Sequence, residues 1–221
     1  MQQTVEDGEL EINFNGHTMK LHPYKAIYWP QKKALFLSDV HLGKLNHFRK
    51  HGIGIPAVGE VDNLRRLQEL ILIYDPADIY ILGDLFHSSR NDSWHELKVF
   101  IETFQTVRFH LIAGNHDILR RPSYFQLGFS RVCDHFNLEG MYLIHNGDES
   151  KDDEWSLSGH IHPGVMLRGV GKQRLKMPCF WLRDKKMVLP AFGIFTGLYV
   201  VNIKRADRVF VVSEKTVFEV E

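Results

Sequence analysis

The sequence predicts an α/β fold in which parallel strands gather their carboxyl ends on one edge. Three observations predict it. Apolar runs at Ala34 to Leu37, Asp78 to Leu82 and Val107 to Ala113 alternate with two stretches of helical periodicity, the grammar of strand–helix–strand units. Each run breaks abruptly into polar residues rich in Asp, Asn and His. Loops at the carboxyl ends of such strands are where open α/β sheets place their chemistry.

The elements follow in order. Leu10 to Phe14 and His17 to Leu21 flank Asn15-Gly16, a strong short hairpin signal, with His17 and His22 expected at the surface. A short strand over Ala26 to Trp29 is closed by Pro30. Ala34 to Leu37 leads into Ser38-Asp39-Val40-His41. Asp39 and His41 are two apart and point to one side if the extended geometry persists. Lys44 to Ile55 carries Lys44, His47, Arg49, Lys50 and His51, and reads either as a solvated loop or as a basic lip for substrate phosphate. Val61, Leu64, Leu67, Leu70 and Ile71 recur at helical spacing, and Asp75-Pro76 stops that helix. The next strand ends in Gly83-Asp84, and His87 beyond it either lines a pocket or caps a helix.

Ser93-Trp94-His95-Glu96 has the capping-box pattern, and Trp94, Leu97, Phe100, Ile101 and Phe104 give the second helix its buried face. His95 and His110 are expected to be structural. The third strand breaks at Gly114-Asn115-His116-Asp117, where Asn115 offers a neutral carbonyl oxygen and His116 a group that holds a proton near neutral pH. Met141 to Ile144 ends at His145, and Asp148 to Glu154 reads as an acidic, solvated loop. Gly159-His160-Ile161-His162 again sets two side chains two residues apart after a short strand. Arg168 to Lys186 is basic, with seven Lys/Arg against Asp184. Leu198 to Ile203, Arg208 to Ser213 and Thr216 to Val220 suggest an antiparallel meander.

Composition bounds the classes. A chain of 221 residues with 44% hydrophobic and 24% charged residues suits one globular domain over 1–221 with an ample core. Lys+Arg and Asp+Glu are both 27, so nucleic-acid binding requires a local basic patch, and nothing advertises a membrane surface. The 13 histidines are an excess that metal binding would explain, against satisfied histidines at the surface. Cys133 and Cys179 form no framework and read as reduced thiols. Met1 to Glu11 lacks the apolar core of a signal peptide, and a cytoplasmic protein is expected.

Asp39-x-His41, Gly83-Asp84, Gly114-Asn115-His116-Asp117, His145 and Gly159-His160-x-His162 fall at strand ends in that order. Each is weak alone; together they resemble the motif series of the calcineurin-like metallophosphoesterases, from Ser38 to Pro163. His41-Leu-Gly-Lys44 with Phe48-Arg49, Gly83-Asp-Leu-Phe-His87, Pro178-Cys-Phe-Trp181 and Leu189-Pro-Ala-Phe-Gly-Ile-Phe-Thr-Gly197 are similar to one subgroup, the ligase-associated DNA-damage-response phosphoesterases of bacteria. Where that subgroup often carries an acidic residue and proline after the fourth-motif histidine, this chain has Asn146-Gly147.

The resemblance implies a four-layer αββα sandwich, two mixed β-sheets flanked by helices. It implies two divalent metal ions: Asp39, His41 and His162 on the first, Asn115, His145 and His160 on the second, with Asp84 bridging. Imidazole with carboxylate suits manganese, the expected metal, as well as iron or zinc. His116 is free of ligand duty and is the expected proton donor to the leaving group, its ring oriented by Asp39 or Asp117. Lys44, Arg49 and His87 are candidate substrate contacts. The activity expected is hydrolysis of phosphodiesters, in nucleic acid, by in-line attack of metal-activated hydroxide, with a DNA ligase or helicase as partner. The alternatives are a small-molecule nucleotide phosphodiesterase or phosphatase, and a non-catalytic protein-binding scaffold of the same fold.

Overall fold

The computed structural model describes residues 8–43, 58–86, 92–169, 171, 173–194 and 196–220. The first of two mixed sheets runs in sequence order: β1 (Leu10–Phe14), β2 (His17–His22), β3 (Ala26–Trp29), β4 (Ala34–Leu37), β5 (Asp78–Leu82), β6 (Arg108–Ile112) and β7 (Arg131–Cys133). Pairing is antiparallel from β1 to β4 and parallel from β4 to β7. The parallel crossovers carry α1 (Val58–Tyr74), α2 (Asp92–Thr103) and α3 (Arg121–Gln126).

The second sheet holds β8 (His135–Leu138), β9 (Met141–Ile144), β10 (Trp155–Ser158), β11 (Pro163–Arg168), β12 (Arg174–Arg183), β13 (Lys186–Val188), β14 (Tyr199–Val200), β15 (Arg208–Val212) and β16 (Val217–Val220). Its order is β14-β11-β12-β13-β10-β9-β8, with β15 joining β12 and β16 joining β15.

The central strands are apolar throughout because both faces are buried. Leu35, Leu37, Ile79, Ile81, Phe109 and Leu111 face Leu67, Leu70, Leu97 and Ile101 of the helices. Alternate residues, Ala34, Phe36, Tyr80, Leu82 and Ile112, meet Leu143, Leu157, Phe180 and Phe210 of the second sheet. Each such leucine or phenylalanine contributes about 1.5–3 kcal/mol of burial, enough to fix the register. All three described helices pack on the first sheet, while Val165, Cys179, Val201, Val209 and Val211 form a smaller cluster in the second sheet.

Several expectations are corrected. His22 is buried at 5%, its Nδ1 accepting the Tyr24 N–H, whereas His17 stays half-exposed with its ring 4.5 Å from that of Trp29. The second helix opens at Asp92, which leaves Ser93 inside its first turn; aspartate favours helix starts as strongly as serine. Leu119 to Phe129 contains α3, and β7 and β8 follow, too short to show a period. The C-terminal meander shrinks to the β15–β16 hairpin. The stretch before it pairs in parallel with β11, Tyr199 N–H donating to His162 O and Val201 N–H to Gly164 O. No helix of the described residues is long and apolar enough to cross a membrane.

Candidate metal centre

The candidate ligands lie just past β4, β5 and β6 of the first sheet and β9 and β10 of the second. The extended geometry expected for Asp39 and His41 does not persist. Asp39, His41, Asp84, His160 and His162 hold left-handed backbone, with φ of 53°, 49°, 51°, 74° and 51°. Such conformations cost non-glycine residues on the order of 1–3 kcal/mol each and persist where surrounding structure over-determines them. Here it does. Asp39 N–H donates to Gly83 O at 3.0 Å, His41 N–H to Asp84 O at 2.9 Å and Leu42 N–H to Leu85 O at 2.9 Å, so the loops stay zipped beyond their strands.

Two of the motif glycines are required by close approach. A Cβ on Gly114 would stand 2.4 Å from Asp84 Oδ1, and one on Gly159 would stand 2.4 Å from Asp39 Oδ2. Each carboxylate is also held by a backbone donor from another motif. His116 N–H donates to Asp84 Oδ1 and His160 N–H to Asp39 Oδ2, both at 3.0 Å.

The side-chain atoms converge in two groups. His162 Nε2 lies 3.3 Å from both Asp39 Oδ1 and His41 Nε2. Across the site, His145 Nε2 lies 3.1 Å from Asn115 Oδ1 and from His160 Nδ1. Asp84 stands between, Oδ2 at 3.9 Å from His41 Nε2 and Oδ1 at 3.5 Å from His145 Nε2. Asp39, His41, Asp84 and His145 are buried, whereas Asn115 and His160 line the opening.

The chemistry of the donor set fits cations. His145 Nδ1 donates to Leu82 O at 2.9 Å, which leaves a lone pair on Nε2 of the neutral ring. That lone pair faces an amide oxygen and a second imidazole nitrogen, an arrangement a cation satisfies. Metal–ligand bonds of about 2.1 Å at tetrahedral or octahedral angles set neighbouring ligand atoms roughly 3.0–3.4 Å apart. The His162 and His145 separations fall in that range. Asp39 is drawn two ways: burial raises its carboxyl, while the hydrogen bond and charge of His162, with His145 and His41, hold it below the ordinary carboxylate value.

His116 stands at the mouth, its side chain 45% exposed and its Nε2 4.0 Å from Asp84 Oδ2. Asp117 is held by backbone donors of two motifs. Its Oδ1 accepts the Leu85 N–H at 3.0 Å and its Oδ2 the Gly114 N–H at 2.9 Å, so it ties the third motif to the second. Burial pushes its carboxyl up to about 6. A cavity of about 280 Å³ beside Asn115, His145 and His160 is walled by Glu149 and by Asn146, the first residue of the Asn146-Gly147 departure from the subgroup. Lys44, Arg49 and His87 lie outside the described residues.

Sequence reasoning missed the brace behind the centre. Leu189 N–H donates to Ser158 O at 2.8 Å, Phe192 N–H to Ser38 O at 2.8 Å and Gly193 N–H to Asp39 O at 3.1 Å. The 189–197 motif therefore buckles the ligand loops of both sheets together. Its Pro-Ala-Phe-Gly run was a visible signal without a visible partner. In the 178–181 motif, Phe180 fills the space between the sheets and Trp181 Nε1 donates to Asp207 at 3.0 Å.

Comparison with known proteins bears on the family and the fold. The family model described as calcineurin-like phosphoesterase matches residues 32–190. The crystal structure of Pseudomonas putida nuclease MPE superposes with a TM-score of 0.80 at 29% identity, covering 96% of this chain and 100% of that one. A phosphoesterase from E. coli, Yfce, aligns at 16% identity over 85% of this chain and 97% of its own, with a TM-score of 0.46. Metallophosphoesterase 1 of Macaca fascicularis is 32% identical over 108 residues, 42% of this chain; the match spans 25% of that relative's length.

Proposed function

This chain belongs to the calcineurin-like phosphoesterase family and is a metal-dependent hydrolase, and from that premise we propose that it cuts phosphodiester bonds in nucleic acid. The observation that carries the reading is the convergence of two groups of nitrogen and oxygen donors on either side of the Asp84 carboxylate. Likeness to a nuclease over nearly the whole chain supports the choice of substrate.

In this reading Asp39, His41 and His162 would hold one divalent ion, Asn115, His145 and His160 the other, with Asp84 shared between them. Two dications in one centre would need an anion between them, and Asp84 presents one oxygen towards each donor group. The bound ions supply positive charge for the phosphate and lower the pKa of the attacking water. Neutral imidazoles and a neutral amide leave that charge largely uncancelled. Leu82 O fixes the His145 tautomer, so Nε2 always presents its lone pair. His116, exposed at the mouth with its ring edge-on to that of His41, delivers the proton from its ring to the departing alkoxide. The mixed imidazole and carboxylate donor set suits manganese, the expected metal, as well as iron or zinc.

A panel tests the reading: single-stranded DNA, duplex DNA, cyclic nucleotides and an aryl phosphodiester, each with a series of divalent metals. Cleavage of a polynucleotide is expected. Turnover of cyclic nucleotides or the aryl ester alone would make this a small-molecule phosphodiesterase.

A further inference from the structure

Lys25 and Arg66 stand together at a groove of about 600 Å³, whose walls include Tyr24, Leu175, Lys176 and Ile194. The Arg66 guanidinium packs 4.9 Å from the Tyr24 ring centroid and 5.2 Å from that of Phe192, and Nη1 donates to Phe192 O at 3.4 Å. Its neighbours Asp62 and Glu69 are occupied by Arg65, at 3.2 and 2.5 Å. Among the described residues no carboxylate ion-pairs with Lys25 or Arg66, although Glu214 also lines the groove. Burial, with Arg66 beside it, pushes the Lys25 amine down to about 8. Asp62 and Glu69 reach Arg66 only at longer range, beside its loss of solvation, so the two adjacent cations keep no direct carboxylate contact and a phosphate would supply one.

The groove wall is tied to the ligand loops through buried Phe192. Phe192, which packs on Arg66, hydrogen-bonds Ser38, and Gly193 hydrogen-bonds Asp39. It is also partly apolar: Leu175 is 58% exposed and Ile194 36%. A duplex turns its bases inward, whereas a single strand presents base faces to such walls. Because the chain's net charge is zero, affinity for a polyanion has to come from a local cluster of this kind.

We propose that this groove is a subsite for the backbone phosphates of single-stranded nucleic acid flanking the bond that is cut, with Lys25 and Arg66 as the phosphate contacts. The proposal rests on the nuclease reading and adds a track to it. Lys176, whose Nζ donates to Leu198 O, extends the basic wall.

The test is Lys25→Glu, which sets a carboxylate beside Arg66 and cancels both cations. Thermal unfolding should show no loss of stability, since a repulsive pair becomes an attractive one. With manganese present, KM for a single-stranded oligonucleotide should rise about tenfold more than KM for a dinucleotide. The log–log salt dependence should flatten by about 1.4, at about 0.7 for each phosphate no longer neutralised. Should Lys25→Glu fold poorly, Lys25→Asn tolerates the left-handed backbone there (φ 64°) and should give about half the flattening. Wild-type cleavage of the oligonucleotide with salt dependence and KM unaltered in the variants overturns the groove alone. Equal changes on oligonucleotide and dinucleotide overturn it too. Failure of the wild type to cut any oligonucleotide sinks the nuclease reading and the groove with it.

Discussion

Among single residues, Asp84 carries the heaviest demand. Its carboxylate is buried, accepts the His116 N–H and lies within 3.9 Å of imidazoles on both sides. Asp84→Ala removes the shared anion, so the purified variant should retain at most one ion, at weakened affinity; two equivalents bound as in wild type would show the bridge to be misassigned. His116 is the opposite case, exposed and outside both donor groups. His116→Ala should keep its metal content. On DNA, whose leaving alkoxide needs a proton, loss of the donor should cost on the order of 10²–10⁴ in rate. On a nitrophenyl ester the deficit should shrink, because phenolate leaves without protonation. Equal deficits on both substrates would instead assign His116 to stabilising charge in the transition state. These residue types were legible in the sequence because few other side chains can hold a metal or a proton. Their backbone was not: five left-handed residues at ligand positions follow from hydrogen bonds between distant loops, which spacing does not reveal.

At the scale of elements, β12 shows how a long strand is held at both faces. Phe180 and Leu182 enter the core between the sheets, while Trp181 and Arg183 grip Asp207. Arg183 Nε and Nη2 donate to the Asp207 oxygens at 2.9 and 2.7 Å, and Lys204 N–H adds a further bond at 2.9 Å. The Arg183 guanidinium chiefly holds the Asp207 carboxyl at about 2, below the usual carboxylate value. An unfolded aspartate titrates near 3.9, so the folded state gains about 2–3 kcal/mol fully present above about pH 4 and lost as pH falls through about 2. Asp207→Asn should lower stability by roughly that amount at pH 7 and lose less than wild type between pH 4 and 2. Urea unfolding at pH 7 and pH 3 would decide; parallel pH responses in the two proteins would refute the clamp. The strands and helices with clear periods were legible. The β14 segment was not, because its partner is the short stretch following the His160–His162 loop and not its sequence neighbour.

For the whole molecule, the two sheets meet so that loops from both complete one centre, and neither sheet carries a full donor set by itself. The order of motifs along the chain made that assembly readable, since strand ends of parallel neighbours share an edge. The groove at Lys25 and Arg66 was unreadable: the two residues are distant in sequence, and neither belongs to a motif. If the proposed centre takes two ions, activity should require both halves to be loaded. The most direct test strips the protein of metal, adds manganese back in measured equivalents and follows cleavage of a single-stranded oligonucleotide. Activity should climb to a plateau at two equivalents per chain. Full activity at one equivalent, or no cleavage at any loading, would contradict the two-ion centre built around Asp84.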